Sequence, residues 1–291
     1  MTVPRGLDWW RGAPGGSEWL ERLPTLVAEC AEQWSLALEE PFHCAHVSYV
    51  ARARLADGRA AVLKVNFPEP ESEHEAAALG HWAGEGAARL YGEDAERRAL
   101  LVERCEPGTR LWEHRGGEEE ANRIAAAVLR RLWRAPPAGH RFRLLADEAA
   151  RWSEELPQRW ERLGRPYERR LLDEAVGFLR EAGPDQGEAV VLHQDFHGGN
   201  VLAAVREPWL AVDPKPLVGE RAFDTASLLR DRRWELRNDP AAGARVRRRL
   251  DALAAALELD RERLRGWGIA HALAWDPDED MIACARWLAA A

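Results

Sequence analysis

The chain has 291 residues, enough for one large or two modest domains with a buried core. Hydrophobic residues make up 46% and charged residues 31%, which excludes a disordered chain, and no run of about 18 uncharged apolar residues is present to span a membrane. The net charge of -8 argues against a general nucleic-acid binder, which needs clustered Lys and Arg; it suits a cationic small molecule, and equally plain solubility.

From the N-terminus, M-T-V-P-R-G-L-D-W-W lacks the apolar stretch of a signal peptide, so the cytoplasm is the expected location. Ser17 reads as the cap of a short helix carrying Trp19, Leu20 and Leu23. Pro24 is expected to break it, with Thr25 capping a second helix through Leu26, Val27, Cys30, Ala31 and Trp34. From Ala45 the period falls to two. Ala45, Val47, Tyr49, Ala51, Ala53 and Leu55 alternate with His46, Ser48, Arg52 and Arg54, the pattern of a half-buried strand. Asp57-Gly58 is a hairpin turn, and A-A-V-L-K-V at 60–65 is the returning strand.

Lys64 stands inside that apolar strand, either facing solvent from an edge or serving a site. A helix through Glu73, Glu75, Leu79 and Trp82 follows; Glu75 is placed to pair with Lys64, and Glu73 is the competing choice. Glu93-Asp94 reads as a turn between two short strands, the second ending in A-L-L-V-E. R-C-E-P-G-T at 104–109 punctuates the chain and sets the expected boundary between residues 1–103 and 104–291.

The second part reads as helical. Ile124, Val128 and Leu132 mark one face; Leu145, Ala149, Trp152 and Leu156 a second; Leu171, Leu172, Ala175, Val176 and Leu179 a third. Further helices are expected near 223–233, 245–257, 263–273 and 281–288, with Arg245, Arg247, Arg248 and Arg249 on solvated faces. Short strands interrupt this half at Val190–Pro216, V-V-L-H-Q-D-F-H-G-G-N-V-L-A-A-V-R-E-P-W-L-A-V-D-P-K-P. The fourteen Trp are expected mostly in packing roles. Cys30, Cys44, Cys105 and Cys284 are far apart and form neither a zinc set nor a disulfide framework.

The stretch at 190–216 carries the chemistry. Transfer of a phosphoryl group from a nucleotide needs cations over the phosphates, a held metal and a group to orient the acceptor hydroxyl. Mg²⁺ takes hard oxygen ligands and keeps waters, so one carboxylate and one amide oxygen suffice, and Asp213 and Asn200 supply them. Asp195 then remains to take the acceptor's proton. Lys64 adds positive charge, held by Glu75, and a cleft between the two parts would bring these groups together.

H-x-D-x-x-x-x-N followed by an Asp after a strand resembles the catalytic-loop and metal-Asp pattern of the protein-kinase-like fold. L-H-Q-D-F-H-G-G-N-V-L, with V-D-P-K-P-L-V-G-E-R-A-F-D and the hinge-like L-V-E-R-C-E-P-G-T, is similar to the aminoglycoside phosphotransferase family, in its streptomycin 6-kinase and hydroxyurea phosphotransferase branch. The resemblance covers nearly the whole chain. It implies an α+β, two-lobed fold with a small, mainly β nucleotide-binding lobe and a larger, mainly α lobe holding the catalytic loop and acceptor site. It implies ATP and Mg²⁺, with Asp195 as base, Asn200 and Asp213 on the metal, and Lys64 with Glu75 at the α- and β-phosphates. The backbone near Glu103 and Cys105 would meet the adenine, Lys215 would approach phosphate or close a salt bridge, and Asp224 would anchor the catalytic loop. The implied acceptor is a small cationic molecule, an aminocyclitol antibiotic phosphorylated at a 6-hydroxyl. A monomer with no nucleic-acid or membrane partner is expected.

The loop E-E-P-F-H-C-A-H-V-S-Y-V departs from the pattern, because it lacks the glycines that let backbone approach phosphate. Two competing readings follow. His193, Asp195 and His197 alternate as in a metal hydrolase, although that leaves Asn200, Asp213 and Lys64 without a task. A nucleotide-binding regulator without turnover would fit the missing glycines. Asp276, Asp278, Glu279 and Asp280, with Glu220 and Glu235, are candidate partners for a cationic acceptor or simply surface carboxylates.

Overall fold

The computed structural model describes residues 3–42, 47–275 and 277–291. Three expectations fall outside them: the first residues of the alternating strand, Cys44 in the glycine-poor loop, and Asp276. The chain divides into two compact units, Met1–Gly108 and Thr109–Ala291.

The first unit is a five-stranded antiparallel sheet with two helices. Helix α1 (Gly16–Gln33) runs unbroken through Pro24. Proline removes one N–H from a helix interior, but Trp19, Leu20, Leu23, Leu26, Val27 and Cys30 stay buried on both sides of it, and that packing holds the helix together. Gly15, in the left-handed region at φ 75, precedes it rather than a capping Ser17. The sheet order is β1-β2-β3-β5-β4, formed by β1 (Ala37–Pro41), β2 (Tyr49–Arg54), β3 (Ala60–Val65), β4 (Leu90–Asp94) and β5 (Ala99–Glu103). A-L-E-E-P of β1 is mostly exposed and shows no alternation, so nothing in its pattern marks it as a strand. The turn after β4 lies at 95–98, one step later than expected. Asp94 ends the strand and accepts from the Arg97 backbone N–H at 2.9 Å and its guanidinium at 2.7 Å, which fixes that turn.

Tyr49, Ala51, Leu63, Val65 and Ala99 pack with α1, Trp10 and Phe67 into one core. Successive strand side chains alternate between faces, so Lys64 projects away from Leu63, Val65 and the α1 side. Helix α2 (Glu75–Trp82) supplies its partner.

The second unit is mainly helical. Its helices are α3 (Gly117–Leu132), α4 (Leu145–Arg162), α5 (Arg169–Ala182), α6 (Ala226–Leu229), α7 (Arg233–Leu236), α8 (Ala242–Leu257), α9 (Arg261–Ala274) and α10 (Glu279–Ala289). Helix α9 is buried nearly all round, through Leu264, Trp267, Ile269, His271 and Leu273, as expected of a helix at a domain centre. It packs on α5, α8 and α10. The helix expected at 223–233 is instead a 3-10 turn (Arg221–Thr225), the short α6 and the short α7, broken where Arg232 takes φ 52.

Two small sheets lie among these helices. Strands β6 (Arg143–Leu144), β10 (Leu217–Glu220) and β7 (Ala189–Leu192) form one; β8 (Val201–Ala203) and β9 (Trp209–Ala211) form a hairpin. The arginines of α8 do not all face solvent. Arg249 is 2% exposed; it pairs with Glu118 of α3 at 2.7 Å and donates to the carbonyls of Leu228, Leu229 and Asp231. Arg245 joins the same group through Glu118 and Asp239.

Candidate active site

One group of the predicted residues is built on β3, within the first unit. Lys64 Nζ donates to both carboxylate oxygens of Glu75, at 2.7 and 2.6 Å, and both side chains are nearly closed to solvent at 9% and 3%. Of the two acidic candidates, Glu75 is the partner. A lysine and a glutamate buried together must satisfy each other, because either charge alone is expensive to desolvate. Asn66, two residues along the same strand face, donates Nδ2 to Glu75 Oε2 at 2.9 Å. Its Oδ1 accepts from Ser48 Oγ at 2.6 Å. The register of β2 on β3 pairs Tyr49 with Val65, so Ser48 stands across from Asn66. The relay Ser48–Asn66–Glu75–Lys64 thus ties the start of β2 to the lysine. Asn66 does not stand out in the sequence; it looks like an ordinary strand-end polar residue.

At the end of β5, the Glu103 side chain and backbone are both turned to Arg89. Glu103 N–H donates to the Arg89 carbonyl at 2.8 Å, and Glu103 Oε2 accepts from Arg89 N–H at 3.0 Å. Cys105 is partly exposed and is in no disulfide. Gly108 takes φ 74, and a Cβ there would come within 2.9 Å of the Cys105 carbonyl, so this turn needs glycine.

In the second unit, β7 delivers the chain to the loop at 193–200. Gln194 is left-handed at φ 67, and Asp195 N–H donates across it to the His193 carbonyl at 2.9 Å. This i to i+2 bond makes a tight γ-type turn, a strained form for a non-glycine residue. Surrounding bonds hold it. Asp224 accepts from the His193 and Gln194 backbone N–H groups at 3.0 and 2.7 Å and from Trp133 Nε1 at 3.0 Å. Ser227 Oγ donates to the Gln194 carbonyl at 3.2 Å, and Arg143 reaches Gln194 Oε1 at 3.2 Å. Asp224 therefore anchors the loop backbone. Burial pushes its carboxyl up to about 6, against the pull of its three donors.

Asn200 sits five residues after Asp195 and folds back on it, its Nδ2 lying 3.0 Å from the Asp195 carbonyl and 3.3 Å from Asp195 Oδ2. With the amide nitrogen committed, Oδ1 is the end of Asn200 left to accept or to ligate. Hairpin β8–β9 pairs Val201 with Ala211, and Val212 N–H donates to the Asn200 carbonyl at 2.9 Å. Asp213 follows at φ 59, at the same end of the hairpin as Asn200. Asp195, Asn200 and Asp213 are thereby gathered on one side of the second unit, while Lys64 and Glu75 lie in the first.

This donor set suits a hard divalent cation, since one carboxylate and one amide oxygen leave positions for waters and phosphate oxygens. It does not suit a zinc hydrolase. His193 is fully buried, its Nε2 lies 3.0 Å from the Val212 carbonyl, and burial holds its imidazole down to about 4. His197 makes a different set of contacts. Its Nδ1 accepts from Gly199 N–H at 3.0 Å, its Nε2 lies 3.7 Å from Asp195 Oδ1, and its ring stacks on Trp112 at 5.5 Å. Among the described residues, no group of three or more His, Cys, Asp and Glu has a metal-holding arrangement.

The glycines at 198 and 199 are needed for packing. A Cβ on Gly199 would lie 2.4 Å from the Trp112 ring, and one on Gly198 would lie 2.6 Å from Asp231 Oδ2. Gly198 N–H donates to that Asp231 oxygen at 2.9 Å, and Trp112 N–H donates to the Gly198 carbonyl at 3.3 Å. Lys215 is buried, and its backbone N–H donates to the His193 carbonyl at 3.0 Å. No described helix is long and apolar enough to cross a membrane.

The family model described as aminoglycoside/hydroxyurea antibiotic resistance kinase matches residues 33–276. A streptomycin 6-kinase of Streptomyces griseus is 38% identical, over 98% of this chain and 94% of its own. A hydroxyurea phosphotransferase of Kitasatospora aureofaciens is 36% identical, over 94% of this chain and 78% of its own. Among solved structures, an aminoglycoside phosphotransferase, APH(3'')-Id of Streptomyces rimosus in complex with ADP and streptomycin, superposes with a TM-score of 0.61 at 19% identity, covering 88% of this chain and 99% of its own. The fold is the α+β, protein-kinase-like architecture of those phosphotransferases. With the family model covering most of its length and two kinase relatives above 35% identity, this chain is an enzyme belonging to the aminoglycoside/hydroxyurea antibiotic resistance kinase family.

Proposed function

We propose that this protein transfers the γ-phosphoryl group of ATP to a hydroxyl of an aminoglycoside, with streptomycin at its 6-hydroxyl as the acceptor. The observation that carries the reading is the loop at 193–200, whose strained turn sets Asp195 beside Asn200 at the hairpin end that bears Asp213. The choice of acceptor rests on the 38% identity to a streptomycin 6-kinase along nearly the whole chain.

Asp195 accepts a hydrogen bond from the acceptor hydroxyl and takes its proton as that oxygen forms a bond to the γ-phosphorus. The bond to the bridging oxygen breaks, and ADP leaves with the electron pair. Asn200 Oδ1 and the Asp213 carboxylate hold Mg²⁺, which when bound neutralises charge on the phosphate oxygens. Lys64 places its ammonium at the α- and β-phosphates, and Glu75 keeps it extended. The Glu103–Cys105 backbone meets the adenine. In this reading, residues 1–103 serve the nucleotide, and residues 104–291 serve catalysis and the acceptor. The protein works as a cytoplasmic monomer.

The test is ADP release by purified protein with Mg-ATP and a panel of aminoglycosides, hydroxyurea, choline and simple sugars. Acceptor-dependent turnover with streptomycin is the expected result. Turnover with hydroxyurea alone would move the acceptor to that of the second relative. ATP binding without turnover on any acceptor would replace the enzyme reading with a regulatory one.

A further inference from the structure

Of the carboxylates that the sequence offers to a cationic acceptor, Glu220, Glu235, Asp278 and Asp280 already have partners of their own. Asp280 takes the Arg237 guanidinium in a two-pronged contact at 2.9 and 2.7 Å. Asp278 caps α10 through Met281 N–H at 2.8 Å and faces Arg233 at 3.6 Å. Glu220 is buried against Arg263 and the Trp267 indole N–H, both at 2.5 Å. Glu235 meets Arg245 at 3.5 Å. A carboxylate engaged by arginine has little left for a ligand's cation.

What adjoins Asp195 is aromatic. The His197 imidazole reaches Asp195 Oδ1 through Nε2 at 3.7 Å and lies nearly parallel to Trp112, at 10° and 5.5 Å between ring centres. Trp234 meets Trp112 at 89° and 5.1 Å. Trp112 is fixed to the catalytic loop, because its backbone N–H donates to Gly198 and its ring fills the space that Gly199 leaves open. Trp234 is 49% exposed, the most open tryptophan among the described residues of the second unit. The other large aromatics there are at least partly covered. A half-exposed indole, continuous with a ring stacked on the histidine of the catalytic loop, is an informative exposure rather than a chance one.

We propose that Trp234 and Trp112 are the acceptor platform of this kinase, taking a guanidino- or amino-bearing ring compound against the exposed indole so that its hydroxyl meets Asp195. The electron-rich indole face attracts a guanidinium or ammonium group without a carboxylate, and a flat ring restricts the orientation of a sugar or cyclitol laid on it. This rests on the phosphotransferase reading above, and the test separates the two.

Equilibrium binding of streptomycin is measured calorimetrically on the full chain with Mg²⁺ and a non-hydrolysable ATP analogue. Steady-state kinetics are run alongside, on wild type, Trp234→Ala, Trp234→Phe and Trp9→Ala. Trp9, 53% exposed in the first unit, is the control for loss of a surface indole. Trp234→Ala raises the streptomycin Kd and KM about tenfold, the range of a cation–π contact at a partly open site. The same variant moves the KM for ATP less than twofold. Trp234→Phe recovers most of the loss, and Trp9→Ala changes neither constant. Unchanged streptomycin binding by Trp234→Ala overturns the platform, as does absence of streptomycin binding by wild type. Wild type that binds streptomycin but does not phosphorylate it refutes the kinase reading, while the effect of Trp234→Ala on binding still decides the platform.

Discussion

Asn66→Ala tests whether the relay behind Lys64 is a working part of the first unit. Asn66 is 3% exposed and bridges two buried groups, Ser48 at 6% and Glu75 at 2%. Alanine removes the 2.6 Å bond from the Ser48 hydroxyl and the 2.9 Å bond to the Glu75 carboxylate. The neutral bond is worth about 1 kcal/mol and the one to a charged partner about 1.5–3 kcal/mol, so the expected loss of stability is about 3 kcal/mol. Asn66→Asp keeps the shape but sets a second carboxylate against Glu75 in a buried site, so it is expected to cost more than alanine. The assay is urea unfolding at neutral pH, with Ser48→Ala and the double variant completing a cycle. Ser48 and Asn66 should couple by about 1 kcal/mol. The reasoning is refuted if Asn66→Ala costs less than about 0.5 kcal/mol, or if the two single changes add. Because Asn66 steadies Glu75, the KM for ATP should also rise in Asn66→Ala.

Three further outcomes follow from the same contacts. Glu75→Ala leaves the Lys64 ammonium buried without its carboxylate; a loss of about 3–5 kcal/mol in urea unfolding is expected. Gly199→Ala drives a methyl group to within 2.4 Å of the rigid Trp112 ring; it should lower stability by about 1–3 kcal/mol and cut turnover more than it weakens nucleotide binding. His271 is fully buried, neither ring nitrogen has a hydrogen-bond partner among the described residues, and burial holds its imidazole well below 6.5. The unfolded chain takes up that proton near 6.5, so stability from this site is complete above about pH 6.5 and is lost as pH falls below it. His271→Phe should therefore show a shallower decline in stability between pH 6.5 and 4 than wild type, read from denaturation midpoints across that range.

Much of the candidate site is legible because the proposed chemistry demands particular residues at fixed spacing. Asp195, Asn200 and Asp213 are carried by one short stretch, and a lysine inside the apolar strand A-A-V-L-K-V, with Glu75 on the helix that follows, marked the pair that the structure joins. The roles of Glu103 and Cys105 came from resemblance, not pattern. What the sequence hid depended on long-range packing. Asn66 matters only because the β2–β3 register sets Ser48 opposite it and α2 brings Glu75 to it. Trp112 and Trp234 lie far apart in sequence, and no spacing rule links either to Asp195. The arginine run on α8 read as solvated, yet Arg249 faces inward because Glu118 and three carbonyls at the end of α6 supply its partners. Pro24 read as a helix end, and burial of the residues around it outweighed one missing hydrogen bond. Strand β1 was missed because edge strands of charged residues carry no alternation.

The central claim is that Asp195 takes the proton of an acceptor hydroxyl during phosphoryl transfer. Its most direct measurement follows γ-labelled ATP and streptomycin with wild type and Asp195→Asn under single-turnover conditions, with nucleotide binding measured in parallel. The account predicts label on a streptomycin hydroxyl with wild type. For Asp195→Asn it predicts a transfer rate lower by a factor of about 10²–10⁴ with nucleotide affinity retained. Transfer by Asp195→Asn within about threefold of wild type would contradict it.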